Sequence, residues 1–218
     1  MTTLVPRVLH ALDRFHADHP WDHNAHYHRW LLRQLPRRFD SALDVGCGSG
    51  DLARRLARRA AVVQGIDADP TVVARARQLT APQLPVTFTV GDALHDTPPG
   101  PYDVITCVAT LHHLPFADAL THFRRHLAPG GTLVVLGLAR AQSLGDHLLG
   151  AAAVPSNIAM AWIRNRGRKT PRPASMTAPT RPAAMGFADI ARDARRVLPG
   201  ARLRRRLFWR YTLVWHKQ

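Results

Sequence analysis

Glutamate is absent from this 218-residue chain, and lysine occurs only at positions 169 and 217. Every acidic role therefore falls to aspartate and nearly every cationic role to arginine. Arginine in place of lysine can reflect codon bias and carries no physical message by itself. Cysteine is scarce too: Cys47 and Cys107 alone cannot build a disulfide framework, and both read as small buried residues of a reducing compartment. No run of about 18 apolar residues exists, so no membrane-crossing helix is expected. The longest candidate, Leu148 to Ile163, is interrupted by Pro155, Ser156 and Asn157. The opening "MTTLVPRVLHALDRFHADHP" lacks a cationic stretch ahead of a long apolar run, so no signal peptide is expected and the cytoplasm is the expected location.

What is present is ordinary for one globular domain. Apolar residues make up 46% of a chain long enough to bury a substantial core. The net charge of +15 is unevenly spread. Residues 1–139 carry 14 Arg against 12 Asp, while residues 140–218 carry 14 Arg and two Lys against three Asp. The first part is thus +2 and the C-terminal third +13. Such asymmetry suits an anionic substrate, a nucleic acid or an acidic membrane surface.

The most informative stretch is "ALDVGCGSGDLARRLARRAAVVQGIDADP", Ala42 to Pro70. Ala42 to Val45 reads as a short buried strand. From Leu52, "LARRLARR" has apolar positions at helical spacing with arginines outward, and Ala61 to Ile66 is a second strand. The unit is strand, glycine loop, helix, strand. Gly46, Gly48 and Gly50 suit a sharp turn and close backbone approach by a ligand. Free N–H groups at the helix start favour a negatively charged ligand group. The dinucleotide spacing G-x-G-x-x-G is not met from Gly46, because Asp51 takes the third place, and from Gly48 the third place is Ala53.

The pattern D-x-G-x-G-x-G, Asp44 through Gly50, instead resembles the first motif of class I S-adenosylmethionine-dependent methyltransferases of the small-molecule type. "VVQGID" ends in Asp67, "VTFTVGDA" reads as a third strand ending in Asp92-Ala93, "YDVITCVATLHHL" as a fourth strand and its loop, and "LAPGGTLVVLGL" as a helix end, a Gly-Gly turn and a fifth strand. The resemblance covers Ser41 to Leu138 well and the last 30 or so residues weakly. It implies an α/β, doubly wound, mostly parallel seven-stranded sheet with an antiparallel C-terminal strand and a helical cap insert. It also implies S-adenosyl-L-methionine as cofactor. The implied cofactor-binding residues are Tyr27, Asp44, Gly46, Gly48, Gly50, Asp67, Ala68, Asp92, Ala93 and Val108, with Asp67 facing the ribose hydroxyls and Asp92 the adenine amino group.

The expected organisation is one methyltransferase domain over 1–218. Residues 1–40 form an N-terminal helical cap, with a helix over Asn24 to Leu35. Residues 41–139 form the cofactor-binding core, 140–186 a substrate-side insert, and 187–218 a closing helix and strand pair. Asp69-Pro70 opens a helix reaching Leu79. Phe116, Leu120, Phe123 and Leu127 mark one face of another. Ser143 to Arg166 reads as an apolar helix, bent or broken near Pro155.

His112-His113 fall where similar enzymes place the acceptor, and His113 is the candidate proton acceptor. His23 and His26 form an i, i+3 pair, but no carboxylate or cysteine follows at a zinc spacing, so no metal is expected. Trp162 is the best aromatic candidate for stacking a substrate. Arg202, Arg204, Arg205 and Arg206 either grip phosphates or line a solvated strand edge. Nucleobase amino-methyltransferases commonly carry N-P-P-Y or D-P-P-Y after the fourth strand, where this chain reads Cys107-Val-Ala-Thr.

The expected function is methyl transfer to an O or N atom of a small molecule in specialised metabolism, without specific nucleic-acid recognition. The alternatives are an RNA or protein methyltransferase using the basic third, and a cofactor-binding subunit without turnover.

Overall fold

The computed structural model describes residues 14–218 apart from 16, 172, 174, 175 and 177–180. Seven strands form one sheet in the order β3-β2-β1-β4-β5-β7-β6. They are β1 (Phe39–Val45), β2 (Ala60–Asp67), β3 (Val86–Val90), β4 (Tyr102–Val108), β5 (Leu127–Leu138), β6 (Arg202–Arg206) and β7 (Arg210–His216). The first five run parallel; β7 is antiparallel to both β5 and β6. Chain order reverses between β1 and β4, and ligands of such sheets bind beyond the carboxyl ends at that switch point.

The helices are α1 (His23–Leu32), α2 (Asp51–Leu56), α3 (Pro70–Leu79), α4 (Phe116–His126), α5 (Leu144–Arg164) and α6 (Phe187–Val197), with a 3₁₀ turn over Leu111–His113. Asp22 caps α1 by accepting from the Asn24 and Ala25 amides, and Asp69 caps α3 by accepting from Thr71. Both sheet faces are covered. Leu43, Val45, Ile105, Leu133 and Tyr211 pack with Leu120 and Phe123 of α4 and Ile190 of α6. On the other face Ala42, Val63, Val104 and Val134 pack with Leu31 of α1, Leu56 of α2 and Val73 of α3.

Several boundaries differ from the sequence reading: the leading helix is His23–Leu32 rather than Asn24 to Leu35, and β1 begins at Phe39 rather than Ala42. The helix after the glycine loop ends at Leu56, because Phe39 already pairs with Ala60 and the chain must extend. The third strand ends at Val90, so Asp92 and Ala93 lie in the loop beyond it. There is no separate Gly-Gly turn before the fifth strand. Pairing begins at Tyr102–Leu127 and resumes at Val104–Thr132, so the extra residues around Gly130, with φ +76°, are an irregularity within β5. Finally, α5 runs through Pro155 unbroken. Pro155 removes the donor that the Ala151 carbonyl would accept from, but Ala151 and Pro155 both lie on the exposed side, where water can satisfy that carbonyl, so the missing N–H is tolerated.

Candidate functional site

The loop leaving β1 begins the site. Gly46, Gly48 and Gly50 all have positive φ, at +68°, +52° and +78°. A Cβ on Gly46 would stand 1.8 Å from the Thr110 hydroxyl oxygen, so only glycine lets this loop lie against the one after β4. The Gly46 and Cys47 amides donate to the Ile66 carbonyl at 2.8 and 3.1 Å. Asp67, at the end of β2, accepts from the Gly48 amide at 2.9 Å and the Asp69 amide at 3.1 Å. The acid that ends β2 therefore also fixes the glycine loop.

These loops enclose a cavity of about 360 Å³, large enough for a ligand of cofactor size. Of the expected cofactor set, Asp44, Gly46, Gly48, Asp67, Ala68, Asp92, Ala93 and Val108 line it, and so does His113. Gly50 does not; it starts α2, and a Cβ there would meet Phe88 at 2.6 Å. Tyr27 does not line it either. Its ring is buried with Trp21 and Phe208, and its hydroxyl donates to the Leu207 carbonyl at 3.0 Å. From the same helix, Asn24 and His28 reach the cavity instead. Arg210 turns Asn24 by donating from Nε and Nη2 to its Oδ1, at 3.1 and 3.0 Å.

The electrostatics of the cavity oppose those of the chain. Asp22, Asp44, Asp51, Asp67, Asp69 and Asp92 line it, and among the described residues no lysine or arginine does. Asp44 is fully buried, and burial pushes its carboxyl up to about 7, although the Thr106 hydroxyl donates to its Oδ1 at 2.7 Å. Asp51 behaves oppositely: the imidazole of His28, with Nδ1 3.2 Å from Oδ2, holds its carboxyl down at about 2. Asp92 accepts from the Leu94 and His95 amides at 2.8 and 3.2 Å. Such a lining suits a cation and rejects phosphates. S-adenosylmethionine, with its sulfonium and ammonium, fits it; a pyrophosphate does not.

On the acceptor side, His113 sits on the 3₁₀ turn after β4, its ring 4.0 Å from that of His112. Burial, with Arg181 nearby, lowers the pKa of His113 from its ordinary value. Burial lowers that of His112 further, to about 4. Both environments favour the neutral imidazole. Ala109, which also lines the cavity, holds φ +51°, an uncommon conformation for a residue with a side chain.

Other candidates lie elsewhere. His23 Nε2 is 2.8 Å from Asn157 Oδ1, and His26 stacks edge-on to Phe208. Trp162 is exposed on α5, outside the cavity lining. Arg205 pairs with Asp146 at 2.6 Å and covers the Phe187 ring, while Arg206 lies over Trp30. The sequence reading missed Asp51, Asn24 and His28. Asp51 was open to recognition as an acid at a helix start, and Asn24 and His28 as an i, i+4 pair.

A family model described as a methyltransferase domain matches residues 42–131. The chain is 30% identical over 204 residues to an uncharacterized methyltransferase of Mycobacterium bovis, covering 91% of this chain and 98% of that protein. It is 37% identical over 121 residues to a trans-aconitate 2-methyltransferase of Streptomyces avermitilis, covering 51% of this chain and 45% of that one. Among solved structures, N-methyltransferase NodS from Bradyrhizobium japonicum in complex with S-adenosyl-l-homocysteine is similar in fold, with TM-score 0.58 and 20% identity over 95% of this chain and 97% of that one. Near full-length similarity to a methyltransferase, together with the sheet order and the acidic glycine-loop cavity, places the protein: the chain belongs to the class I S-adenosylmethionine-dependent methyltransferases.

Proposed function

We propose that the protein methylates an O or N atom of a small-molecule acceptor, in the cytoplasm and within a specialised biosynthetic route. The observation that carries the cofactor half is the cavity lined by six aspartates and, among the described residues, no lysine or arginine, in a chain of net charge +15. When bound, S-adenosylmethionine supplies a methyl group activated by its positive sulfur. The residues that would hold it are those of the cavity. Asp44 and Asp51 would face its cationic end beside Gly46 and Gly48, Asp67 would accept from the ribose hydroxyls, and Asp92 with Ala93 would meet the adenine. Val108 and Ala68 supply apolar walls.

Alignment does most of the remaining work, since methyl transfer depends chiefly on holding nucleophile and methyl carbon in line. Neutral His113 is placed to take the acceptor's proton. The segment 140–186 acts as the substrate-side insert, with α5 packed on the leading segment through Trp21 and Asn157. Of the described residues, α1 in the leading segment and 187–218 close the ends of the core.

The small-molecule reading is favoured over an RNA or protein acceptor by the C-terminal arginines. Arg205 and Arg206 are engaged with Asp146, Phe187 and Trp30 rather than forming a free phosphate grip. Among partial relatives, one is named for trans-aconitate and another, 34% identical over 106 residues, for ubiquinone biosynthesis O-methylation.

The test is radiolabelled S-adenosylmethionine incubated with the protein and a fractionated cell extract. Label in the fraction of small metabolites, lost with heat-killed enzyme, is the expected result. Label confined to RNA or protein would replace this reading with the alternative, and no label in any fraction would favour a binding subunit.

A further inference from the structure

Helix α5 is held by one side only. Ala153, Asn157 and Ala161, four apart, are buried in a cluster with Trp21, Tyr27, Leu136 and Phe208. The opposite side is Leu144, Leu148, Ala151, Ala152, Pro155, Ala159, Trp162 and Ile163, all exposed. Steps of four, three, one, three, four, three and one place them on a single helical stripe. Leu144 is 76% exposed, Ile163 65%, Leu148 62% and Trp162 55%. No charged residue stands between Asp146 and Arg164. One exposed leucine needs no explanation, but a stripe of this length does; 21 residues of helix extend about 30 Å.

The stripe has a cationic border. Arg164, Arg166, Arg168 and Lys169 follow at its C-terminal end, all exposed. At the other end, the turn between β6 and β7 exposes Leu207 and Trp209, and Trp209 lies beside the helix at Gly150. The whole C-terminal third carries +13. Among the described residues no helix is long and apolar enough to cross a membrane. The helix is therefore suited to lie on a surface rather than to pass through one.

Charge decides the occupant. A second copy of this chain would bring the same +13 against this face, which opposes self-association. An anionic bilayer satisfies both features: apolar side chains and tryptophan enter the boundary between headgroups and acyl chains, and arginines meet the headgroups. We propose that α5 docks the protein, lying flat, on a membrane surface bearing anionic headgroups. Because α5 follows the carboxyl end of β5, the docked face adjoins the end of the sheet that carries the cavity. The proposal concerns where the enzyme works, and its test does not require the acceptor.

The experiment is co-sedimentation of the full chain with vesicles of phosphatidylglycerol and phosphatidylcholine, against vesicles of phosphatidylcholine alone, with tryptophan emission read in parallel. Binding at least tenfold tighter to the anionic vesicles is expected, with a blue shift that Trp162→Phe largely removes. The double variant Leu148→Asp, Ile163→Asp should bind at least tenfold more weakly, with unchanged melting temperature and unchanged affinity for S-adenosylhomocysteine. Salt should weaken the binding of the unaltered protein without abolishing it. Equal binding by the double variant, or no binding to anionic vesicles at low salt, would overturn the proposal. So would binding that vanishes at physiological salt and is fully displaced by transfer RNA. A concentration-dependent dimer that the double variant abolishes, without vesicle binding, would assign the face to a second copy instead.

Discussion

Asp44 is the residue whose chemistry is least ordinary. Its carboxyl is lifted to about 7 by burial at the end of β1. The folded state thus favours the neutral form, so the stability it lends is fully present below the ordinary carboxylate range and is lost as pH rises towards 7. A cationic ligand needs the ionised form. S-adenosylmethionine affinity should therefore climb as pH passes upward through 7, with proton release on binding, and fall by up to tenfold for each pH unit below. Calorimetry in buffers of different ionisation enthalpy reads both effects. Asp44→Asn, which keeps an acceptor for Thr106, should flatten the profile and raise the melting temperature in mildly alkaline buffer. His113 makes a separate prediction. His113→Gln should lower kcat by about a hundredfold, the scale of a general base, while leaving S-adenosylhomocysteine affinity unchanged; an unaltered kcat would leave alignment alone as the source of rate. At this scale the positions of the glycine loop, Asp67 and Asp92 at the cavity were legible in the sequence, because each lies at or just beyond the end of a short apolar strand and the resemblance named them. Tyr27 was not. One residue along a helix turns the side chain by about 100°, and α1 mixes three histidines, an asparagine and a tyrosine with no strong apolar stripe to fix its rotation.

Among the elements, α5 is tied to the rest by a small number of contacts, and the Trp21 indole donating to Asn157 Oδ1 at 2.6 Å is a buried one. Asn157→Ala would leave that indole N–H without its acceptor in a buried setting, at a cost of about 1–3 kcal/mol. The expected readout is faster amide exchange confined to α5 and the leading segment, with a modest fall in melting temperature and the sheet amides unchanged. Uniform exchange across the chain would mean that α5 is part of the global folding unit. The elements of 41–126 were identified in type and order, with ends off by up to about three residues, because period-2 and period-3.6 patterns alternate there. The misreadings at Pro155 and at Gly130–Gly131 share a cause. Both residue types end elements in isolation, yet here the ring has small neighbours on an exposed face and the glycines ride on a strand already paired with β4 and β7. Such tolerance comes from tertiary neighbours, which a local pattern does not contain.

At the scale of the molecule, charge is segregated: an acidic cavity at the switch point of the sheet is lined by residues between Asp22 and Leu114, while the C-terminal third of the sequence carries +13. The basic surface should bind RNA weakly, with affinity falling steeply as salt rises, because neutralised phosphates release counterions. Arg202→Gln with Arg204→Gln, both on the exposed β6 edge, should reduce that binding and leave methyl transfer to a small acceptor intact. Loss of turnover would instead place the basic edge in substrate recognition. The interior charge bears on the central claim, that this cavity is shaped for S-adenosylmethionine rather than for a phosphate-bearing nucleotide. Calorimetric titration of the protein and of Asp67→Ala with S-adenosylhomocysteine, and with NADH as a control, tests it most directly. Asp67 both faces the cavity and holds the Gly48 amide, and hydrogen bonds to a charged group are worth about 1.5–3 kcal/mol each. The account predicts one site of micromolar affinity for S-adenosylhomocysteine, weakened at least tenfold by Asp67→Ala, and no detectable binding of NADH. Equal affinity in the two proteins, or tighter binding of NADH, would contradict it.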